Sequence, residues 1–120
     1  MKSFVAVAAG GLLALAFAGI GAAGHAKSTG LVGEVGPSFS IEVKNNGTDL
    51  KTIKHGVHKF KIEDKSPFHN FHLKGPGVDK KTSVAFKGDT TWTVTLKKGT
   101  YTYQCDPHAK RGMKGTFKVT

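Results

Sequence analysis

From Phe39 onward, apolar and polar side chains alternate with a period of two, the pattern of strands that bury one face. Phe39, Ile41 and Val43 share one parity and stop at Asn45-Asn46-Gly47. His58, Phe60 and Ile62 form a second set, ended by Asp64-Lys65-Ser66-Pro67, and His69, Phe71 and Leu73 a third, closed by Gly75-Pro76-Gly77. Trp92, Val94 and Leu96 alternate with threonines, Tyr101, Tyr103 and Cys105 share one face, and Phe117 with Val119 marks a last strand. Residues 74–89 are less regular and predict a long crossing loop with a short strand at Ser83-Val84-Ala85-Phe86. No helical period is sustained and no segment repeats. About seven short strands between turn signals predict an all-β, two-sheet antiparallel Greek-key sandwich.

The start of the chain has a different character. Lys2 precedes an apolar, Ala/Gly-rich run from Phe4 to Ile20, and Gly24-His25-Ala26 places small residues where a signal peptidase needs them. This predicts a secretory signal peptide over residues 1–26, removed to leave a single domain over residues 27–120, in the periplasm or outside the cell. The competing reading, a membrane anchor, suits the run poorly, because it is short, glycine-studded and followed by no stop-transfer pattern. The mature chain has 94 residues and a formal charge of +9. That length supports one hydrophobic core. Export argues against nucleic acid as the partner of so basic a surface. An acidic redox partner fits better, with weak association to an anionic membrane surface and a monomeric state expected.

Cys105 is the only cysteine. In an oxidising compartment it has no internal disulfide partner, so burial, pairing between chains or metal binding are the alternatives. Its neighbours bear on the choice. Cys105-Asp106-Pro107-His108 and Met113 place a thiol, an imidazole and a thioether on one short loop. With a second imidazole, for which His69 is the candidate, these are the donors of a blue-copper electron-transfer centre. By strand parity both Cys105 and His69 face the core at a sheet end.

These segments resemble the cupredoxin family, and within it the small plastocyanin-like blue copper proteins. The family pattern of an early His-Asn, then C-x-P-H and a following Met, is matched by His69-Asn70, Cys105-Asp106-Pro107-His108 and Met113. The resemblance extends through Gly99–Tyr103 and Gly115–Val119 and covers most of the chain after Phe39. It implies one type 1 copper ion held by His69, Cys105, His108 and Met113. It also implies a bond from Asn70 across to Asp106, where the family commonly has Ser or Thr. An acidic residue there favours Cu(II). Pro107 lacks a backbone N–H and so removes one donor to the sulfur. Both features are expected to lower the reduction potential.

Lys110, Arg111 and Lys114 lie in or beside the ligand loop and are expected to rim the face where His108 meets solvent, steering an acidic partner. Ordinary solubility charge is the alternative. His72 has the opposite parity to His69 and is expected on the outer face. His55 and His58 point to opposite faces of one strand, which leaves only a weak second metal site open to these three histidines. The leading function is an exported one-electron carrier; a copper buffer or chaperone is the alternative. Oxidase or nitrite-reductase chemistry needs further copper centres, and the chain has neither an H-x-H pair nor a second domain. Zinc is compatible with the same donors, but the thioether adds nothing to a zinc site.

Overall fold

A computed structural model describes residues 30–120; the expected signal peptide and the start of the mature chain lie outside the described residues. Ten strands follow in order: β1 (Leu31–Val35), β2 (Ile41–Asn45), β3 (Thr48–Asp49), β4 (Thr52–Ile53), β5 (Gly56–Asp64), β6 (His72–Gly75), β7 (Val78–Lys81), β8 (Gly88–Leu96), β9 (Gly99–Gln104) and β10 (Lys114–Val119). A 3-10 helix, Asp106–Arg111, joins β9 to β10. The strands make two five-stranded sheets, ordered β3-β2-β1-β5-β8 and β4-β10-β9-β6-β7. The sandwich is the expected one, but the sheets are mixed. β1 pairs parallel with β5, and β10 parallel with β4. The cause is topological: between β1 and β5 the chain crosses into the second sheet through β4 and returns, so β5 runs alongside β1.

Several local expectations are corrected. β1 carries no alternation, because four of its five residues are buried in mid-sheet between β2 and β5. It therefore reads as an apolar run and not as a half-buried strand. Gly33 within it is required by packing: a Cβ there would stand 2.6 Å from the Phe71 ring. Phe39 does not belong to β2 and is 60% exposed. His69 and Phe71 are buried as their parity indicated, yet pairing begins only at His72. Residues 74–89 are not one loop. β6 and β7 form a hairpin across Pro76-Gly77, and Ser83–Phe86 is a turn closed by Phe86 N–H to the Ser83 carbonyl at 3.1 Å.

The core lies between the sheets. Phe60, Ile62, Val43, Val94 and Leu96 from one side meet Leu73, Tyr101, Phe117 and Val119 from the other. Phe71 stacks on Tyr103 with centroids 6.0 Å apart and packs against Phe60 at 5.6 Å. Tyr101 is buried with its hydroxyl satisfied: it donates to the Pro76 carbonyl (2.6 Å) and accepts the Lys97 N–H (2.9 Å). Cys105 and Met113 belong to the same cluster, so one pole of the core is also the sulfur side of the site.

Asp64, at the end of β5, is 2% exposed. Its Oδ1 accepts the Ser66 N–H at 3.1 Å, and its Oδ2 has no partner. Burial pushes this carboxyl above the ordinary value, against the lowering by Ser66 and His69. A carboxyl raised on folding stabilises at low pH and loses that contribution as pH rises through the folded value. Asp64→Asn removes the charge, so the variant is expected to be more stable than the parent at pH 7 by roughly 1 kcal/mol. The gap should close as pH falls below the ordinary carboxyl value of 3.8. Urea unfolding of the metal-free proteins at both pH values measures this; a variant less stable at pH 7 would contradict it.

Candidate metal centre

Cys105 directly follows β9 and caps the 3-10 helix, with Pro107 in its first turn where a backbone N–H is not needed. Residues three apart eclipse in such a helix. Cys105 and His108 are spaced in this way, and Sγ lies 3.5 Å from the His108 Nδ1. Gly112 then takes φ +97, a left-handed conformation that reverses the chain at no steric cost. Met113 returns beside Cys105, its carbonyl accepting the Cys105 N–H at 3.0 Å. This local folding accounts for the C-x2-H-x4-M spacing.

His69 reaches the same point from the loop before β6. Its Nδ1 is 3.0 Å from the His108 Nδ1 and 3.7 Å from the Cys105 Sγ. A point equidistant from these three atoms lies about 2 Å from each, which is the length of a metal–imidazole bond. Cys105 is fully buried, Met113 is buried, His69 is 3% exposed and His108 is half-buried. Among the described residues this is the one cluster of three or more such donors able to hold a metal ion. Two nitrogens, a buried sulfur and a neighbouring thioether fit copper.

The electrostatics prepare the donors differently. Burial raises the Cys105 thiol above its ordinary value, while the backbone amides of Asn70 and His108 favour its thiolate. The metal-free thiol is therefore neutral, and the His108 N–H donates to the Cys105 carbonyl at 3.1 Å. Desolvation, together with His69 and Arg111, lowers His108 and so favours the neutral ring that ligation needs.

The surrounding residues tie the two segments together. Asn70 donates to the Asp106 Oδ2 at 2.9 Å, and its own carbonyl accepts the Asp106 N–H at 2.7 Å. Burial pushes Asp106 up, but hydrogen bonds from Gln104, Asn70 and His72 and the charge of His72 outweigh it and hold the carboxyl at about 2. His72 is not on a solvated face. It is buried, with Nδ1 2.8 Å from Asp106 and Nε2 2.6 Å from Asp79. Parity assigned it to the opposite side from His69 but did not show that the loop after Cys105 covers that side. His55 and His58 each engage a backbone carbonyl, of Thr120 and Lys54, at 2.9 and 2.8 Å. The three histidines form no cluster of their own.

Sequence reasoning missed two residues at the site. Phe39 stands edge-on to both imidazoles, with centroids 4.9 Å from His108 and 5.7 Å from His69. The guanidinium of Arg111 lies over the same ring, 5.9 Å from its centroid. The Gly36-Pro37-Ser38 break just before Phe39 was the available signal that the strand had not begun. Gly36 is the second. It has φ +72, and a Cβ there would stand 2.9 Å from the His69 ring. Gly36→Ala is expected to displace that ring and weaken copper binding by about 10–100-fold, as loss of an outer support does. Competition against a chelator measures it; parental affinity would contradict it. Lys110, Arg111 and Lys114 are exposed, the first two on the 3-10 helix and the last at the start of β10.

Comparison with known proteins agrees with this geometry. Residues 34–120 match the family described as copper binding proteins, plastocyanin/azurin family. Among solved structures the chain is similar to reduced rusticyanin, with TM-score 0.56, 24% identity, and coverage of 78% of this chain and 80% of that one. A methionine-to-glutamine mutant of rusticyanin gives TM-score 0.57 at 23% identity, covering 78% of each chain. Rusticyanin from Thiobacillus ferrooxidans gives 0.54 at 24%, again covering 78% of each. At this identity the structural likeness establishes the fold, and the family match establishes the class. The chain belongs to the plastocyanin/azurin family of copper-binding proteins, a non-enzymatic carrier with one type 1 copper at its His-Cys-His cluster.

Proposed function

We propose that the protein is an exported one-electron carrier, with copper held by His69, Cys105, His108 and Met113 and electrons exchanged at the His108 face. The observation that carries this reading is the preformed cluster of two imidazole nitrogens and one sulfur at one pole of a packed sandwich. Copper there supplies one-electron Cu(II)/Cu(I) chemistry. The buried Cys105 and Met113 exclude water from the sulfur side. Met113 supports the fourth position because its backbone is bonded to Cys105 and its side chain lies in the same buried cluster. Asn70, Asp106 and Pro107 hold the two ligand segments in one geometry, so little rearranges when the charge changes. Export and a start near Lys27 rest on the sequence of residues 1–26.

The surface around His108 supports the choice of partner. Phe39 is 60% exposed beside the His108 ring with Arg111 over it, and Lys110 and Lys114 are exposed on the 3-10 helix and at the start of β10. An apolar centre with a basic rim fits an acidic redox protein. The double substitution Lys110→Gln and Arg111→Gln is expected to slow electron exchange with an anionic iron–cyanide complex by about tenfold at low salt. Colour should not change, and the potential is expected to fall, since positive charge beside His108 is removed. Stopped-flow rates across a salt series measure this, and an unchanged low-salt rate removes the steering role.

A copper buffer differs in what it transfers. The carrier reading expects reversible one-electron cycling and fast self-exchange by electrochemistry and NMR line broadening. Slow self-exchange together with release of copper to an acceptor protein would favour the buffer.

A further inference from the structure

His72 is the buried histidine that the copper cluster leaves out, and both of its ring nitrogens are in use. Nδ1 lies 2.8 Å from the Asp106 Oδ1 and Nε2 lies 2.6 Å from the Asp79 Oδ1. A carboxylate only accepts, and a neutral imidazole has one N–H to give. Both contacts are hydrogen bonds together only when the ring carries both protons. Neither carboxyl readily supplies the missing proton. Asp106 already takes hydrogen bonds from Gln104 (2.8 Å) and Asn70 (2.9 Å), and Asp79 is 75% exposed to water. An imidazolium is the form of His72 that satisfies both contacts at once, in a side chain 11% exposed.

The position of this charge gives it a role. Asp106 follows Cys105 directly and is bonded twice to Asn70, the residue after His69. Asp79 belongs to β7, the outer strand of the β6–β7 hairpin. His72 thus fastens the ligand loop to a hairpin that carries no ligand. Across the second sheet it stands opposite Lys81 on β7 and Gln104 on β9, and Gln104 donates to the same Asp106 oxygen.

We propose that His72 is a positioning residue, a buried positive charge that neutralises Asp106 beside the copper thiolate and so raises the reduction potential above the value Asp106 alone would set. The proposal rests on the ligand set given under Proposed function. An acidic residue after the ligand cysteine then does not act as a net negative charge, because its partner is built in.

The test uses the full mature chain with His72→Gln, Asp106→Asn and both substitutions together, at one pH and salt. His72→Gln leaves an uncompensated carboxylate, so its potential is expected to fall, with the Cu(II)/Cu(I) equilibrium shifted on the order of tenfold. Asp106→Asn is expected to raise it. The double variant is expected near the parent, since a neutral pair has been replaced by two neutral side chains. A merely structural role for His72 would instead leave the potential of His72→Gln unchanged, or leave the double variant as low as the single one, and either result overturns the proposal. A second measurement needs neither copper nor a variant. Long-range 1H–15N spectra of the metal-free parent at pH 7 are expected to show both His72 nitrogens protonated, and a neutral-tautomer pattern overturns the proposal. If the parent fails to form a blue centre while His72 is doubly protonated, the ligand reading fails and the charge assignment survives.

Discussion

Cys105→Ser will give a folded chain that binds Cu(II) weakly and stays colourless. The thiolate is the one soft, strongly covalent donor in the cluster, and a serine hydroxyl is neither soft nor ionised at neutral pH. Loss of an outer support to a metal ligand costs about 10–100-fold in affinity, and loss of a direct donor costs more. We therefore expect a fall exceeding roughly a hundredfold, with the intense visible band abolished. Folding is touched less. Cys105 is fully buried in the core cluster beside Met113, so a hydroxyl there costs the metal-free protein about 1–3 kcal/mol. Copper titration by absorbance, with thermal melts of the metal-free forms, separates the two effects. A variant that keeps the parental colour would show that the sulfur does not bind the metal.

Phe71→Ala will be the most damaging truncation in the core. Phe71 is fully buried, lies against Phe60, Trp92 and Tyr103, and fills the space that Gly33 leaves open. Removing such a ring costs about 3–5 kcal/mol, against a total of about 5–15 kcal/mol for a domain. Phe71 is also two residues from His69. Its N–H bonds to the Thr82 hydroxyl at 2.9 Å, and its carbonyl accepts the Thr82 N–H at 3.0 Å, which fixes the backbone behind the ligand. Collapse of the ring pocket should loosen that backbone as well, so copper affinity falls along with stability. Urea unfolding of the metal-free variant is the measurement. A loss under about 1.5 kcal/mol would mean the site relaxes and the ring is not a keystone of the sandwich.

What could be read from the sequence follows from the kind of burial each segment experiences. β5, β8, β9 and β10 have one face in the core, so Phe60, Ile62, Val94, Leu96, Tyr101 and Phe117 appear at alternate positions and declare their strands. β1 is buried in mid-sheet and declared nothing. β7 is four residues long, too short for a period to show against the charges of Asp79, Lys80 and Lys81. The parallel pairings depend on which sheet the two-residue β4 joins, a decision made by contacts from Lys118 and Val119 near the other end of the chain. Alternation along one strand carries no such information.

The site divides in the same way. His108 and Met113 were legible because one loop carries them with Cys105, and the loop's own geometry enforces their spacing. His69 was reachable because it is core-facing at a sheet end. Phe39, Gly36 and His72 were placed wrongly or passed over, since each acts through a neighbour distant in sequence. Phe39 meets His108, Gly36 makes room for the His69 ring, and His72 meets Asp106. A parity argument says which way a side chain points and leaves open what covers it.

Copper-edge X-ray absorption on the mature chain loaded with one equivalent of copper tests the central claim most directly. Convergence of Cys105 with His69 and His108 predicts one short sulfur contact and two imidazole nitrogens at about 2 Å. A shell of oxygen and nitrogen alone, with no short sulfur contact, would contradict it.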